Sequence, residues 1–159
     1  MDKLLLRSAI LEKVSAELDN LTRAALLARD EATHEESKPE NQYDMHAQEA
    51  AYLAEGQARL VKDLQETLSL YQTLPLNPWA PGAPVGIGAV VTLEAGKRRS
   101  YYFLGPRSGG IDVECEGREV TVVTPASPVG RQLLGATIGS TVTLPGRTGP
   151  VPHRISAVD

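Results

Sequence analysis

Six carboxylates crowd into one short stretch of this chain. Residues 30 to 44 read Asp-Glu-Ala-Thr-His-Glu-Glu-Ser-Lys-Pro-Glu-Asn-Gln-Tyr-Asp, and a single lysine, Lys38, stands against the six acids. Like charges side by side repel, and nothing about fold stability requires gathering them there. Carboxylates are hard oxygen ligands suited to Mg2+. Two or three on one turn are too few for a dedicated cage, yet they can complete the coordination of an ion that a partner already holds. The blander reading is a solvated polar turn. Other chemistry-bearing residues are sparse. The loop Gly105 to Gly110, with Arg107, could hold an anion through backbone N–H groups, but such loops are mostly hairpin turns. Cys115 lies in a strand pattern with no nearby base to make it a nucleophile. His34, His46 and His153 fit no metal-ligand spacing and read as surface histidines.

The elements that position the acids follow from composition. Residues 1 to 74 carry 14 acids and 8 Lys/Arg, a net charge of -6; residues 75 to 159 carry 6 acids and 8 Lys/Arg, a net charge of +2. The first part has one Gly and one Pro, the second 13 Gly and 10 Pro. Gly and Pro break helices and build turns. The first part therefore reads as helix and the second as strands and turns, joined by a proline-rich linker over residues 75 to 85. In the first, Leu11, Val14, Leu18, Leu21, Ala25 and Ala28 form a 3-4 spaced seam, which Leu4 and Leu5 extend. Ala50, Leu53, Gln57, Leu60, Leu64 and Tyr71, with Leu68 adjacent, form a second. Pro39 lies between them, where the chain is expected to turn. The expectation is an antiparallel two-helix coiled coil over 1–74, each arm about 40 Å long at 1.5 Å per residue, with the acids at its tip.

Residues 86–159 predict a small, mostly antiparallel sheet. Strand patterns cover 89–93, 100–104, 111–115, 119–124, 139–144 and 151–158. Ser127-Pro128 is an N-cap followed by proline at the first helical position, and Gly135 is a stop, which gives one helix of about two turns. The fold class is thus α+β.

Whole-chain numbers exclude several functions. The chain has 159 residues, net charge -4, one cysteine and 4% aromatics. This argues against a basic nucleic-acid-binding surface, an internal disulfide and a lone structural zinc site. No apolar run approaches the roughly 20 residues of a membrane span, and no signal-peptide pattern opens the chain. A reducing, cytoplasmic setting is expected.

Ser127-Pro-Val-Gly-Arg-Gln-Leu-Leu-Gly-Ala-Thr-Ile-Gly-Ser-Thr-Val-Thr-Leu144 resembles the C-terminal signature of the GreA/GreB transcription elongation factors, Ser-Pro-x-(Gly/Ala)-Arg-x-Leu-(Leu/Ile)-Gly followed by a Gly-x-x-Val strand. Glu40-Asn41 is similar to the family's Ser-Glu-Asn-x-x-Tyr segment, and Glu55-Gly-Gln-Ala-Arg-Leu-Val-Lys-Asp-Leu64 to the returning arm's Glu-Gly-Arg-Ile-x-x-Leu pattern. The resemblance implies a coiled coil joined to an FKBP-like domain. It implies RNA polymerase as partner and no enzyme activity of its own. The head would dock at the rim of the secondary channel through Ser127, Pro128, Val129 and Arg131. The tip would help hold a second Mg2+, shared with the polymerase and not a resident cofactor, for cleavage of backtracked RNA near its 3′ end. Glu36, Glu40 and Asp44 are the candidate acids, with Glu40 and Asp44 on the shared metal.

The family tip carries an Asp three residues before the Glu of Glu-Asn. Matching Glu40-Asn41 puts Ser37 at the Asp position; matching the returning arm without gaps puts Glu40 there and Tyr43 at the Glu position, with Asp44 next. A modulator or inhibitor that occupies the channel without promoting cleavage is therefore the alternative. An FKBP-type peptide binder would need an aromatic pocket from Trp79, Tyr101, Tyr102 and Phe103. A coiled coil that dimerises through its seam is a third reading, against which a monomer is expected. No independent DNA binding is expected.

Overall fold

A computed structural model describes residues 1–33 and 45–159. Two helices come first, α1 (Lys3–Thr33) and α2 (Met45–Thr73). Six strands and one short helix follow: β1 (Val90–Ala95), β2 (Arg98–Leu104), β3 (Asp112–Cys115), β4 (Arg118–Val123), α3 (Pro128–Leu133), β5 (Thr141–Gly146) and β6 (Gly149–Val158). The chain is α+β. Contacts divide it into two units, Met1–Leu11 with Leu70–Asp159, and Glu12–Ser69.

In the helical unit, α1 and α2 pack antiparallel along a seam. From Val14 to Ala28 the expected α1 positions are all buried or half-buried. Two positions of the α2 seam sit one residue over from the expected ones, Ala54 in place of Leu53 and Val61 in place of Leu60. Ala54, Gln57, Val61, Leu64 and Leu68 are the half-buried set, while Leu53 and Leu60 are 54% and 47% exposed. Both sets keep 3-4 spacing and share Gln57 and Leu64, so periodicity alone fits either. Small Ala54 and Ala58 line a groove with Thr22, Ala25 and Arg29 of α1. On the seam, Gln57 Oε1 is buried with no hydrogen-bond partner among the described residues.

The other unit is built on one sheet of order β3-β4-β2-β1-β6-β5. Its neighbours are antiparallel except β2 and β4, which run parallel with Tyr101 opposite Val120 and Leu104 opposite Val123. Sequence reading expects mostly antiparallel strands. The parallel pair arises because β3 is inserted as the outer strand of a β3–β4 hairpin, which turns tightly at Glu116-Gly117 with both φ positive. One face of the sheet carries Val91, Leu93, Leu104, Val123, Val142, Leu144 and Ile155, packed with Leu133 of α3. Trp79 packs against this cluster, so part of the proline-rich stretch lies on the sheet.

The opposite face receives the start of α1 and the end of α2, which belong to the same unit. Leu4 and Leu5, expected on the seam, are exposed; Leu6 and Ile10 are fully buried instead. Tyr71 is fully buried, its ring 6.4 Å from that of Phe103. Its hydroxyl donates to the Arg107 carbonyl at 2.6 Å. Burial pushes the phenol well above its ordinary pKa, with the Arg107 bond opposing, so it remains a neutral donor. Gly105 is what lets the ring through: a Cβ there would overlap the Tyr71 hydroxyl and lie 3.1 Å from Val122 Cγ1. Tyr71→Phe should lower stability by about 1 kcal/mol, the usual worth of a buried neutral hydrogen bond, without altering secondary structure. Urea unfolding, with the midpoint lower and the slope unchanged, checks this.

Candidate partner-docking site

The tip acids Glu36, Glu40 and Asp44, with their metal role, lie outside the described residues, as do His34 and the His46 side chain. The other expected site, Ser127, Pro128, Val129 and Arg131, is described throughout.

Its signature residues divide into those that build the helix and those that face out. Ser127 caps α3: its Oγ accepts from the Gly130 N–H at 3.0 Å and its hydroxyl donates to the Thr124 carbonyl at 2.8 Å. Pro128 takes the first helical position, where its missing N–H costs nothing. Gly130 is buried against Thr124, Leu133 is fully buried, and Val129 packs against the sheet's core.

Gln132 does something the sequence did not announce. Its Nε2 donates to the Thr143 carbonyl at 3.0 Å and its Oε1 accepts from the Thr143 N–H at 2.8 Å. β5 is an edge strand, and Thr143 lies opposite Pro152 in the β5–β6 register. Counting back from the Gly146–Gly149 pair that closes the hairpin, Thr143 falls at a non-hydrogen-bonded position and aims both backbone groups outward. The Gln132 amide therefore pairs with the open edge as a neighbouring strand would. Pro145 removes the next outward donor. The edge is thus blunted against pairing with another chain. Gln132→Leu should cost about 1 kcal/mol and raise concentration-dependent self-association, read by thermal melts and sedimentation at several protein concentrations.

What remains on the surface is Pro128, Arg131, Leu134 and Ile138, the last two 49% and 50% exposed. Leu133 and Leu134 are adjacent leucines, yet Leu133 is fully buried and Leu134 is not. The helical period separates them: one step along a six-residue helix turns a side chain by about 100°, from core to solvent.

The remaining candidates are structural. In the Gly105–Gly110 loop the Arg107 carbonyl anchors Tyr71, and Gly105 makes room for its ring. Cys115 is buried, with Sγ 3.8 Å from the Asp2 carbonyl oxygen. Burial, with Glu116 and Asp2 adding to it, raises its pKa and keeps it an unreactive thiol. His153 Nδ1 lies 2.9 Å from the Val151 carbonyl oxygen. Among the described residues no group of three or more His, Cys, Asp or Glu is placed to hold a metal, and no helix is long and apolar enough to cross a membrane. The four aromatics do not converge. Phe103 meets Tyr71, Tyr101 lies under the Arg118 guanidinium at 5.3 Å, and Tyr102 and Trp79 pack at the core on the opposite face.

The family model described as the C-terminal part of the transcription elongation factors GreA/GreB matches residues 80–159. The chain belongs to the GreA/GreB family. Several solved structures are similar to the chain. The GreA factor homolog Gfh1 of Thermus thermophilus is 19% identical, with 94% of each chain covered and a TM-score of 0.39. Thermus aquaticus Gfh1 is 22% identical over 92% of each chain, TM-score 0.39. A GreA/GreB factor from Nitrosomonas europaea is 22% identical over 62% of this chain and 78% of its own, TM-score 0.39. No curated protein matches the chain. GreA/GreB factors act on RNA polymerase as modulators rather than as enzymes, and this member is a transcription elongation factor of that type. The family implies RNA polymerase as its partner.

Proposed function

We propose that this GreA/GreB-type factor binds RNA polymerase at its secondary channel in the cytoplasm. The coiled coil of residues 1–74 carries Glu36, Glu40 and Asp44 to the catalytic centre, and residues 86–159 grip the enzyme from outside. The family match across 80–159, which contains the Ser127–Leu144 signature, carries the reading. At the tip, Glu40 and Asp44 help hold a second Mg2+ that belongs to the polymerase, and the hydrolytic cut of backtracked RNA is the polymerase's own. Two-metal phosphoryl chemistry needs ligands for the second ion, and carboxylates supply them. The gripping surface is centred on Arg131, Leu134 and Ile138, whose exposure leaves them free to be buried by a partner.

A second reading has its own observation. Neither register of the tip restores both family acids, since either Ser37 or Tyr43 occupies one of the two positions. A tip so changed can occupy the channel and slow synthesis without promoting cleavage.

One experiment separates the readings. Purified protein is added to stalled, backtracked elongation complexes with Mg2+, and both polymerase binding and RNA are followed. Release of short 3′ fragments supports cleavage stimulation. Binding without release selects the modulator. No binding overturns both. Arg131→Glu with Leu134→Ser should weaken binding in the same assay; unchanged affinity would place the grip elsewhere.

A further inference from the structure

Strand alternation sorts the charges of the sheet unit onto opposite faces. Residues paired across neighbouring strands share a face, and successive residues on one strand do not. Glu94 is opposite Arg99 on one side and Arg154 on the other. Tyr101 shares the Arg99 face two residues along β2, and Arg118 lies over its ring at 5.3 Å. Arg118, Tyr101, Arg99, Glu94 and Arg154 therefore form one continuous row across β4, β2, β1 and β6. The three arginines are exposed, and Lys97 stands exposed at the adjoining β1–β2 turn. Glu94 is the one acid in the row, paired with Arg99 at 2.6 Å. The acids Asp112, Glu114 and Glu119 fall on the other face, with Glu114 directly opposite Glu119. Sequence reading saw only the sum, a half-chain charge of +2.

We infer that the row of Arg99, Arg118 and Arg154, with Lys97 at the adjoining turn, is a docking surface for an acidic protein segment of the polymerase. This rests on the polymerase reading and adds to it a second contact, of opposite chemistry to the partly apolar surface at Leu134 and Ile138. Strand-mounted guanidiniums are held in register. Arg99 and Arg154 flank Glu94 and so stand about 10 Å apart, twice the cross-strand spacing. Such a row suits paired carboxylates on a protein surface. Nucleic acid fits less well. About four phosphate contacts would lose roughly fifty-fold in affinity between 50 and 200 mM salt. The whole chain, at net charge -4, also repels a polyanion. In protein docking the affinity comes from elsewhere, and a few charges set the rate and direction of approach.

The test measures association of the full chain with core RNA polymerase across salt concentrations. Arg118→Glu with Arg154→Glu should slow association about tenfold at low salt, and the gap should close near 0.5 M. Because Arg118 stacks on Tyr101, Lys97→Glu with Arg154→Glu is measured beside it as a pair without that contact. Glu114→Gln, on the opposite face, should leave the rate unchanged. Two probes name the chemistry: a glutamate-rich peptide should compete and a single-stranded RNA oligonucleotide should not. Unchanged rates in both reversed pairs, or competition by RNA alone, overturns this inference while polymerase binding stands. Absence of binding by the parent chain overturns the polymerase reading first. Sedimentation of the parent alone shows whether the acidic helices of a second copy occupy the row instead, which would also overturn it.

Discussion

Gly130→Ala is expected to destabilise the sheet unit by about 3 kcal/mol or more, on the scale of severe overpacking in a core. A Cβ at this position would overlap the Thr124 carbonyl oxygen and lie 2.6 Å from its carbon. Those are backbone atoms, and they have no rotamer through which to escape. The same carbonyl accepts from both the Ser127 N–H and the Ser127 hydroxyl, so moving it away breaks the cap that starts α3. For a unit of this size the melting temperature should fall by roughly 12 °C or more. The family pattern allows Gly or Ala here, which makes the result diagnostic of this chain's own close approach. Gly56 is the control. It lies in α2 with nothing within 4 Å of a would-be Cβ. Gly56→Ala should stabilise by about 0.5 to 1 kcal/mol, because alanine is the better helix former. Calorimetry on both variants gives opposite signs. A tolerated Gly130→Ala would mean that Thr124 and α3 can part without cost.

Glu40→Ala with Asp44→Ala is expected to abolish RNA release while leaving polymerase affinity within about two-fold. Removing one preorganised group that stabilises charge in a transition state commonly costs 10²–10³ in rate. Two ligands of one ion removed together should cost at least that, since neither can substitute for the other. Binding should survive because the gripping residues lie in the other part of the chain. The readout is the rate of 3′ fragment release at saturating factor, with Mg2+ varied. Rescue by raised Mg2+ would mark the lost groups as metal ligands. Release that persists in the double variant would remove Glu40 and Asp44 from the chemistry and leave Glu36 to be tested.

Local signals carried much of this protein. Glycine and proline, one of each in the first part and dense in the second, separated helix from sheet, because backbone freedom is a property of single residues. The Ser127-Pro128 cap and the β-branched runs marked α3 and the strands for the same reason. Periodicity found the α1 seam but offered two for α2. It favoured Leu53 and Leu60 on hydrophobicity, whereas the packed pair is Ala54 and Val61. A repeat gives the spacing of a stripe and leaves its angle to the partner helix. The parallel β2–β4 pair, the Gln132 amide on the β5 edge and the arginine row were likewise absent from any one segment. Each is a relation between stretches distant in sequence. The chain alone determined which pieces form and what charge each bears. Only the tertiary structure decided which faces meet, because pairing energy depends on both partners and their register at once.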